Sequence, residues 1–302
     1  MEQIRRLNAY LKEKYNKKIY KIALNGSTTC PNRDGKIGAG GCIFCSGGSG
    51  EFSVSNEGTI DEQIEKGIKN ISSKISGEAG YIAYFQAYTG TYGDLKELER
   101  IYTEAAKNPN IYALSIGTRP DCLEDDVMDM LDRLNKIKPL IIELGFQTSK
   151  KESIEYIRRG YGNKIYEEAV KKLRNCGIEV VVHVIIGLPG ETKSDMLNTI
   201  KYLNKTDIQG IKLQLLHVLK GTDMAKDYTA GKFETLSLEE YGEILCEILE
   251  NLRSDIVVHR ITGDGPKKLL IAPQWSGDKK KVLNYINRLL SDRNVIQGRR
   301  CK

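Results

Sequence analysis

Six apolar runs are spaced along the chain: "KIALNG" (21–26), "YIAYFQAY" (81–88), "IYALSIG" (111–117), "LIIELGFQ" (140–147), "EVVVHVIIGL" (179–188) and "GIKLQLLHVL" (210–219). Most are apolar on both faces, which suits strands covered on both sides in a parallel sheet. Charged, amphipathic segments at 94–107, 123–137, 163–176 and 192–204 read as the helices between them. Six βα units in series predict an α/β fold with a parallel sheet curled into a barrel or part of one, a flat doubly wound sheet being the other arrangement. After residue 219 the rhythm changes. A helix near 238–253 leads into "DIVVHRITGDGP", a strand and turn, and then "LLIAPQW" and a basic helix near 279–291. The organisation expected is a basic N-terminal extension (1–20), a barrel (21–235) and a C-terminal extension (236–302) packed on it.

Composition adds little to the fold class, with 40% apolar and 28% charged residues marking a globular chain. No run of about 18 apolar residues predicts a membrane span. Seven cysteines without framework spacing point to a reducing, cytoplasmic setting rather than a disulfide scaffold. Charge changes the picture more. Residues 1–21 hold seven Lys/Arg against two Asp/Glu, residues 267–302 ten against two, and the body between is net acidic. A basic head and tail suit contact with a polyanion, phosphates first; solvated chain ends are the plainer explanation.

The chemistry concentrates in "CPNRDGKIGAGGCIFC", directly after the first strand, where α/β barrels carry their active-site loops. Cys42 and Cys45 sit within reach of one metal and Cys30 adds a third thiol across an eleven-residue spacer. Glycines 35, 38, 40, 41, 47, 48 and 50 let backbone wrap a bulky group. Three thiols fit a closed structural zinc poorly, since that needs four ligands. A catalytic zinc with an open position, a 4Fe–4S cluster with one iron free of protein ligands, or mere coincidence all remain on spacing alone.

Together with "YFQAYTGTY", "GTRPDCL", "ELGFQT", "HVIIGLPGET" and "HRITGDGP", this loop resembles the radical S-adenosylmethionine (SAM) superfamily. The C-x11-C-x2-C spacing resembles the branch holding the Elongator catalytic subunit and the YhcC/YtqA (MnmL)-type proteins. The resemblance implies a partial (β/α)6 TIM-type barrel. Cys30, Cys42 and Cys45 would then hold a 4Fe–4S cluster whose open iron binds SAM. An electron from a flavodoxin- or ferredoxin-like donor would cleave SAM to methionine and a 5′-deoxyadenosyl radical.

It also implies cofactor contacts. Gln86 lies where the superfamily meets the methionine amino group, although the usual Gly-Gly-Glu is absent. Arg119 would neutralise a cofactor or substrate carboxylate, Glu143 and Gln147 would hold cofactor or ribose hydroxyls, and Gly187 and Pro189 in "GLPGE" would line the adenosyl pocket. The plainer readings are strand capping for Gln86, a surface ion pair for Arg119 and a simple turn for 187–190. Glu143 lies among Leu140, Ile141, Ile142 and Leu144, where a lone carboxylate demands a partner. His183 and His217 are expected to face a barrel interior as satisfied core residues.

For substrate, the resemblance implies wobble uridine-34 of tRNA, with the anticodon stem-loop as partner and a 5-carboxymethylaminomethyl side chain converted to 5-aminomethyl. The chain holds no acetyltransferase-like segment, which disfavours an acetyl-CoA-dependent addition. A radical enzyme acting on a small molecule or protein, and a zinc-stabilised RNA-binding module, are the alternatives.

Overall fold

The computed structural model describes residues 3–301 other than 27, 48–52, 54–57, 76 and 264. Gly48 and Gly50 of the cysteine loop therefore lie outside the described residues. In chain order the strands are β1 (Lys18–Leu24), β2 (Ala79–Phe85), β3 (Ile111–Thr118), β4 (Leu140–Gln147), β5 (Glu179–Ile186), β6 (Gly210–Leu215), β7 (Val218–Leu219), β8 (Val257–Arg260) and β9 (Leu270–Ala272). The helices are α1 (Leu7–Tyr15), α2 (Ile60–Ile71), α3 (Leu95–Lys107), α4 (Asp125–Ile137), α5 (Lys151–Tyr156), α6 (Asn163–Asn175), α7 (Lys193–Leu203), α8 (Asp223–Thr229), α9 (Leu238–Asn251) and α10 (Lys279–Asp292). No helix among them is long and apolar enough to cross a membrane.

Seven strands pair in parallel in the order β1-β2-β3-β4-β5-β6-β8 and curl into a half-barrel. The six-unit barrel expected from the sequence thus gains a seventh strand. "VVHR" returns to the sheet edge beside β6 after a long excursion through β7, α8 and α9. The run at 210–219 breaks after Leu215, and Val218–Leu219 pairs instead with β9 in a separate antiparallel ribbon. The first strand begins earlier than expected, because Lys18, Ile19 and Tyr20 already alternate in register with β2.

Alternation along the strands sorts the side chains into two environments. Outward positions such as Ile22, Leu24, Phe85, Leu114, Ile142, Val182 and Leu213 are buried against the helices in the main core. Inward positions form layers, as in a closed barrel. The lowest layer is Ile19, Ile82, Ala113, Ile141 and Val181, sealed from below by Leu7, Tyr10 and Leu11 of α1. Two residues further along each strand the layer turns polar, with Lys21, Tyr84, Ser115, Glu143, His183 and, from β6, Lys212.

The ends of the chain meet. Gln297 donates its backbone N–H to the carbonyl of Gln3 at 2.9 Å, Arg6 Nη2 donates to Asn287 Oδ1 at 2.8 Å, and Arg6 forms a parallel bridge with Val258. Helix α10 buries Val282, Ile286 and Leu290 against the main core and leaves Lys279, Lys280, Lys281 and Arg288 exposed.

Candidate active site

A cavity of about 730 Å³ fills the inside of the half-barrel above the polar layer. Lys21, Tyr84, His183 and Lys212 line its floor, Gln86, Gln147, Ile185 and Gln214 its walls, and Phe44 of the cysteine loop one side. Lys267 and Lys279 line it from the C-terminal segment.

Glu143 organises the floor. Its Oε1 accepts from Lys21 Nζ at 2.7 Å and Ser115 Oγ at 2.8 Å. Its Oε2 accepts from Tyr84 Oη at 2.9 Å, His183 Nε2 at 2.7 Å and Lys212 Nζ. Five donors exceed the roughly four lone-pair positions of a carboxylate, and the side chain has no solvent exposure. Glu143, expected from the sequence to hold cofactor or ribose hydroxyls, is committed to these five donors within the floor. Its carboxyl would rise on burial, but Lys21, Lys212 and His183 outweigh that and hold it well below the ordinary carboxylate range.

The groups around it shift in turn. Burial, reinforced by Lys212, pushes His183 down to about 4, so the ring is neutral near pH 7. With Nε2–H donated to Glu143, its Nδ1 accepts from Gln214 Nε2 at 3.1 Å. Burial also pushes Lys212 down to about 7; the attraction of Glu143 opposes this, and the neighbouring cations Lys21 and Arg260 add to it.

The cysteine loop lies at the carboxyl end of β1. Cys45 donates its backbone N–H to the Cys42 carbonyl at 2.9 Å, and Gly35, Gly40 and Gly41 adopt the positive φ that the turns require. Asn32 Nδ2 reaches Cys42 Sγ at 3.5 Å and the Arg158 carbonyl at 2.8 Å; Arg33 Nη1 reaches Cys45 Sγ at 3.5 Å. All three thiols are free of disulfides. N–H donors aimed at sulfur suit cysteine ligands of an iron–sulfur cluster. Burial first of all raises the Cys42 thiol to about 11, so bound irons would supply the charge that its thiolate needs. Among the described residues no three His, Cys, Asp or Glu converge at the spacing of a single ion. A cubane, whose cysteines sit on different irons, asks for a wider triangle than zinc does. Cys30, Cys42 and Cys45 fit a cluster. Replacing Asn32 with alanine is expected to weaken retention of the cluster about 10- to 100-fold, read as iron lost to a chelator, because donors that orient metal ligands contribute on that scale.

The remaining sequence candidates divide. Gln86 and Gln147 both line the cavity, Gln147 from a bulge with φ of 62°. Arg119 does not. Its fork is filled by Asp121, at 2.9 Å from Nε and 2.7 Å from Nη2, and Nη2 also donates to the Arg159 carbonyl. The guanidinium expected from the sequence to neutralise a cofactor or substrate carboxylate is thus paired with Asp121 outside the cavity lining. Gly187, with φ of 90°, packs under Leu236, where a Cβ would stand 2.9 Å from Cδ1. Pro189 lines a separate surface depression with Lys150 and Tyr156. The structure brings neither residue into the cavity. Sequence reading missed Lys21 and Lys212, whose signal is a single cation at an inward register position of an otherwise apolar strand.

A parallel half-barrel with a three-cysteine loop over its carboxyl end defines a class, and comparison with known proteins agrees. Residues 25–203 match the model of the Radical SAM superfamily and residues 208–292 the Radical_SAM C-terminal domain, and the chain belongs to this family. It is therefore a radical SAM enzyme, working with a 4Fe–4S cluster and S-adenosylmethionine. It is 43% identical to YtqA of Bacillus subtilis over 97% of this chain and 91% of that protein. It is 34% identical to YhcC of Escherichia coli K12 over 94% and 91% respectively. A more distant relative is the tRNA uridine(34) acetyltransferase of Methanocaldococcus jannaschii, 27% identical over 64% of this chain and 34% of that one. Among solved structures, the fold resembles Elp3 of Methanocaldococcus infernus with a TM-score of 0.69 at 17% identity, covering 92% of this chain and 64% of that one.

Proposed function

We propose that this enzyme acts on tRNA at wobble uridine-34, converting 5-carboxymethylaminomethyluridine to 5-aminomethyluridine. The observation that carries the reading is the charge of the cavity. Lysines 267 and 279 line it from the C-terminal segment, next to exposed Lys280 and Lys281, while Lys21 and Lys212 form its floor. Phosphates outside and a carboxylate inside match a nucleotide that carries a carboxymethylaminomethyl arm. The distant likeness to a tRNA uridine(34) acetyltransferase supports the same substrate class.

The basic ends read from the sequence contribute unequally. Lys14 pairs with Glu179, Lys17 with Glu78, and Lys21 enters the cavity. Arg293 pairs with Glu243, and Arg299 and Arg300 with Glu250. Lys267, Lys268 and the start of α10 carry exposed cations near the cavity.

When bound through Cys30, Cys42 and Cys45, the cluster supplies the electron that splits SAM and so generates the hydrogen-abstracting radical. The chain's own residues hold the reactants. Gln86 and Gln147 offer amides from the cavity walls to polar groups of cofactor or substrate. Glu143 keeps Lys21, Lys212 and Tyr84 fixed, and the neutral His183 bonds the same carboxylate. The apolar layer beneath, closed by α1, excludes water from below.

Anaerobically reconstituted protein with dithionite is expected to form 5′-deoxyadenosine faster when tRNA carrying 5-carboxymethylaminomethyluridine is present, with loss of the carboxymethyl group by nucleoside mass spectrometry. Product formation indifferent to that tRNA would overturn the substrate assignment and leave the radical chemistry standing.

A further inference from the structure

We infer that the floor of the cavity is a carboxylate-binding subsite, in which the ammonium groups of Lys21 and Lys212 together receive the carboxylate of the substrate arm. The inference deepens the wobble-uridine reading and rests on it for the identity of the arm.

Charge counting carries it. Among the described residues Glu143 is the one carboxylate bonded by both lysines, and His183, its other ionisable basic partner, is neutral. When both lysines are protonated, two ammonium groups on one carboxylate leave a positive charge in excess, in a layer where Lys212 is 3% exposed and Glu143 1%, and with Lys212 at about 7 that excess is relieved either by its proton leaving or by an entering anion. A buried charge without a counter-charge is costly, and proteins rarely retain one unless a ligand completes it. The hydrogens are available too. Lys212 Nζ donates to Glu143 and to Tyr84 Oη, the latter at 2.8 Å. Lys21 Nζ donates to Glu143 at 2.7 Å and lies 3.4 Å from Ser115 Oγ. Each ammonium has three hydrogens, so each retains one beyond these contacts, and both side chains line the cavity. The depressed Lys212 agrees with the charge count, since a bound carboxylate would restore its ordinary affinity for a proton.

The same geometry assigns different roles to residues that look alike in sequence. Glu143 repels a substrate carboxylate if left alone, but with five donors on it the charge is spent within the floor. The lysines are specificity residues, set to accept an acid and to gain nothing from its amide.

The test uses reconstituted full-length protein and calorimetry under anaerobic conditions, with N-benzylglycine, its amide and S-adenosylhomocysteine as probes. Wild type is expected to prefer N-benzylglycine over the amide. Lys21→Met, which leaves Glu143 and Lys212 charge-balanced and should fold, is expected to weaken the acid about 10- to 100-fold, the usual worth of a hydrogen bond to a charged group, and to leave the amide unchanged. Lys212→Met, balanced in the other way, should do the same. Equal affinity for acid and amide in wild type would overturn the subsite. So would a Lys21→Met defect confined to S-adenosylhomocysteine, because the floor would then hold the cofactor's carboxylate. Failure on modified tRNA with a preserved acid preference would instead sink the wobble-uridine reading alone.

Discussion

Cys42→Ala is expected to abolish S-adenosylmethionine cleavage, lowering 5′-deoxyadenosine to the level of protein to which no iron was added. Cys42 has Asn32 aimed at its sulfur and Arg119 close enough to act on its charge. Its loss leaves Cys30 and Cys45, too few to hold a cubane and keep one iron open. The controls are the other cysteines. Cys122 and Cys246 are buried and outside the loop, and Cys176 lies at the C-terminal end of α6. Alanine at Cys176 should leave iron content and cleavage unchanged. Iron content, visible colour and 5′-deoxyadenosine measured together check the prediction. A Cys42→Ala protein that still turned over would show that the loop holds no cluster.

Glu143→Ala is expected to be the most destabilising single substitution inside the barrel. Removing it leaves the buried Lys212 and the half-buried Lys21 with no counter-charge, and breaking a buried pair in that way costs about 3–5 kcal/mol. The corresponding fall in Tm is on the order of 10 °C. Adding Lys212→Met should restore part of the loss, because one of the stranded charges goes with it; a double-mutant cycle reads that coupling directly.

The pH dependence has two parts. Glu143 is held below its ordinary range, so its contribution is present above pH about 4.5 and is lost as pH falls through its folded value. Lys212 works in the opposite sense, being a weaker base folded than unfolded. Between about 7 and its ordinary 10.5 the unfolded chain binds the extra proton, and stability therefore rises with pH across that window. Thermal unfolding of wild type and Lys212→Met from pH 6 to 10 should show this slope in the first and lose it in the second.

The fold was readable because the outward strand positions are uniformly apolar and the helices between them carry clear amphipathic faces. β3 and β4 fall close to where the apolar runs begin and end. β8 could be read as a strand but not as the seventh of this sheet, since nothing local in "VVHR" says which edge it joins across the excursion from Val218. The cysteine loop announced itself through spacing and glycine content. The polar floor did not, and the reason is register. Lys21, Tyr84, Glu143, His183 and Lys212 meet only because β1, β2, β4, β5 and β6 place the same inward layer at the same height. Glu143 stood out as a carboxylate in an apolar run. The lysines passed unnoticed because a long side chain at a strand position is ordinarily read as snorkelling to solvent. Arg119 stands outside the cavity for a local reason, since Asp121 two residues on bonds its Nε and Nη2.

The meeting of the chain ends has a consequence for how the molecule is made. Helix α1 is made before every strand of the sheet, yet it closes the bottom of the barrel against strands that extend to β8, and the segment before it is tied to Asn287, Asn294 and Gln297. Those partners are synthesised about 280 residues after it. The helix thus waits for them to find its seat, and until then the apolar lowest layer of the growing sheet lies open for a chaperone to cover.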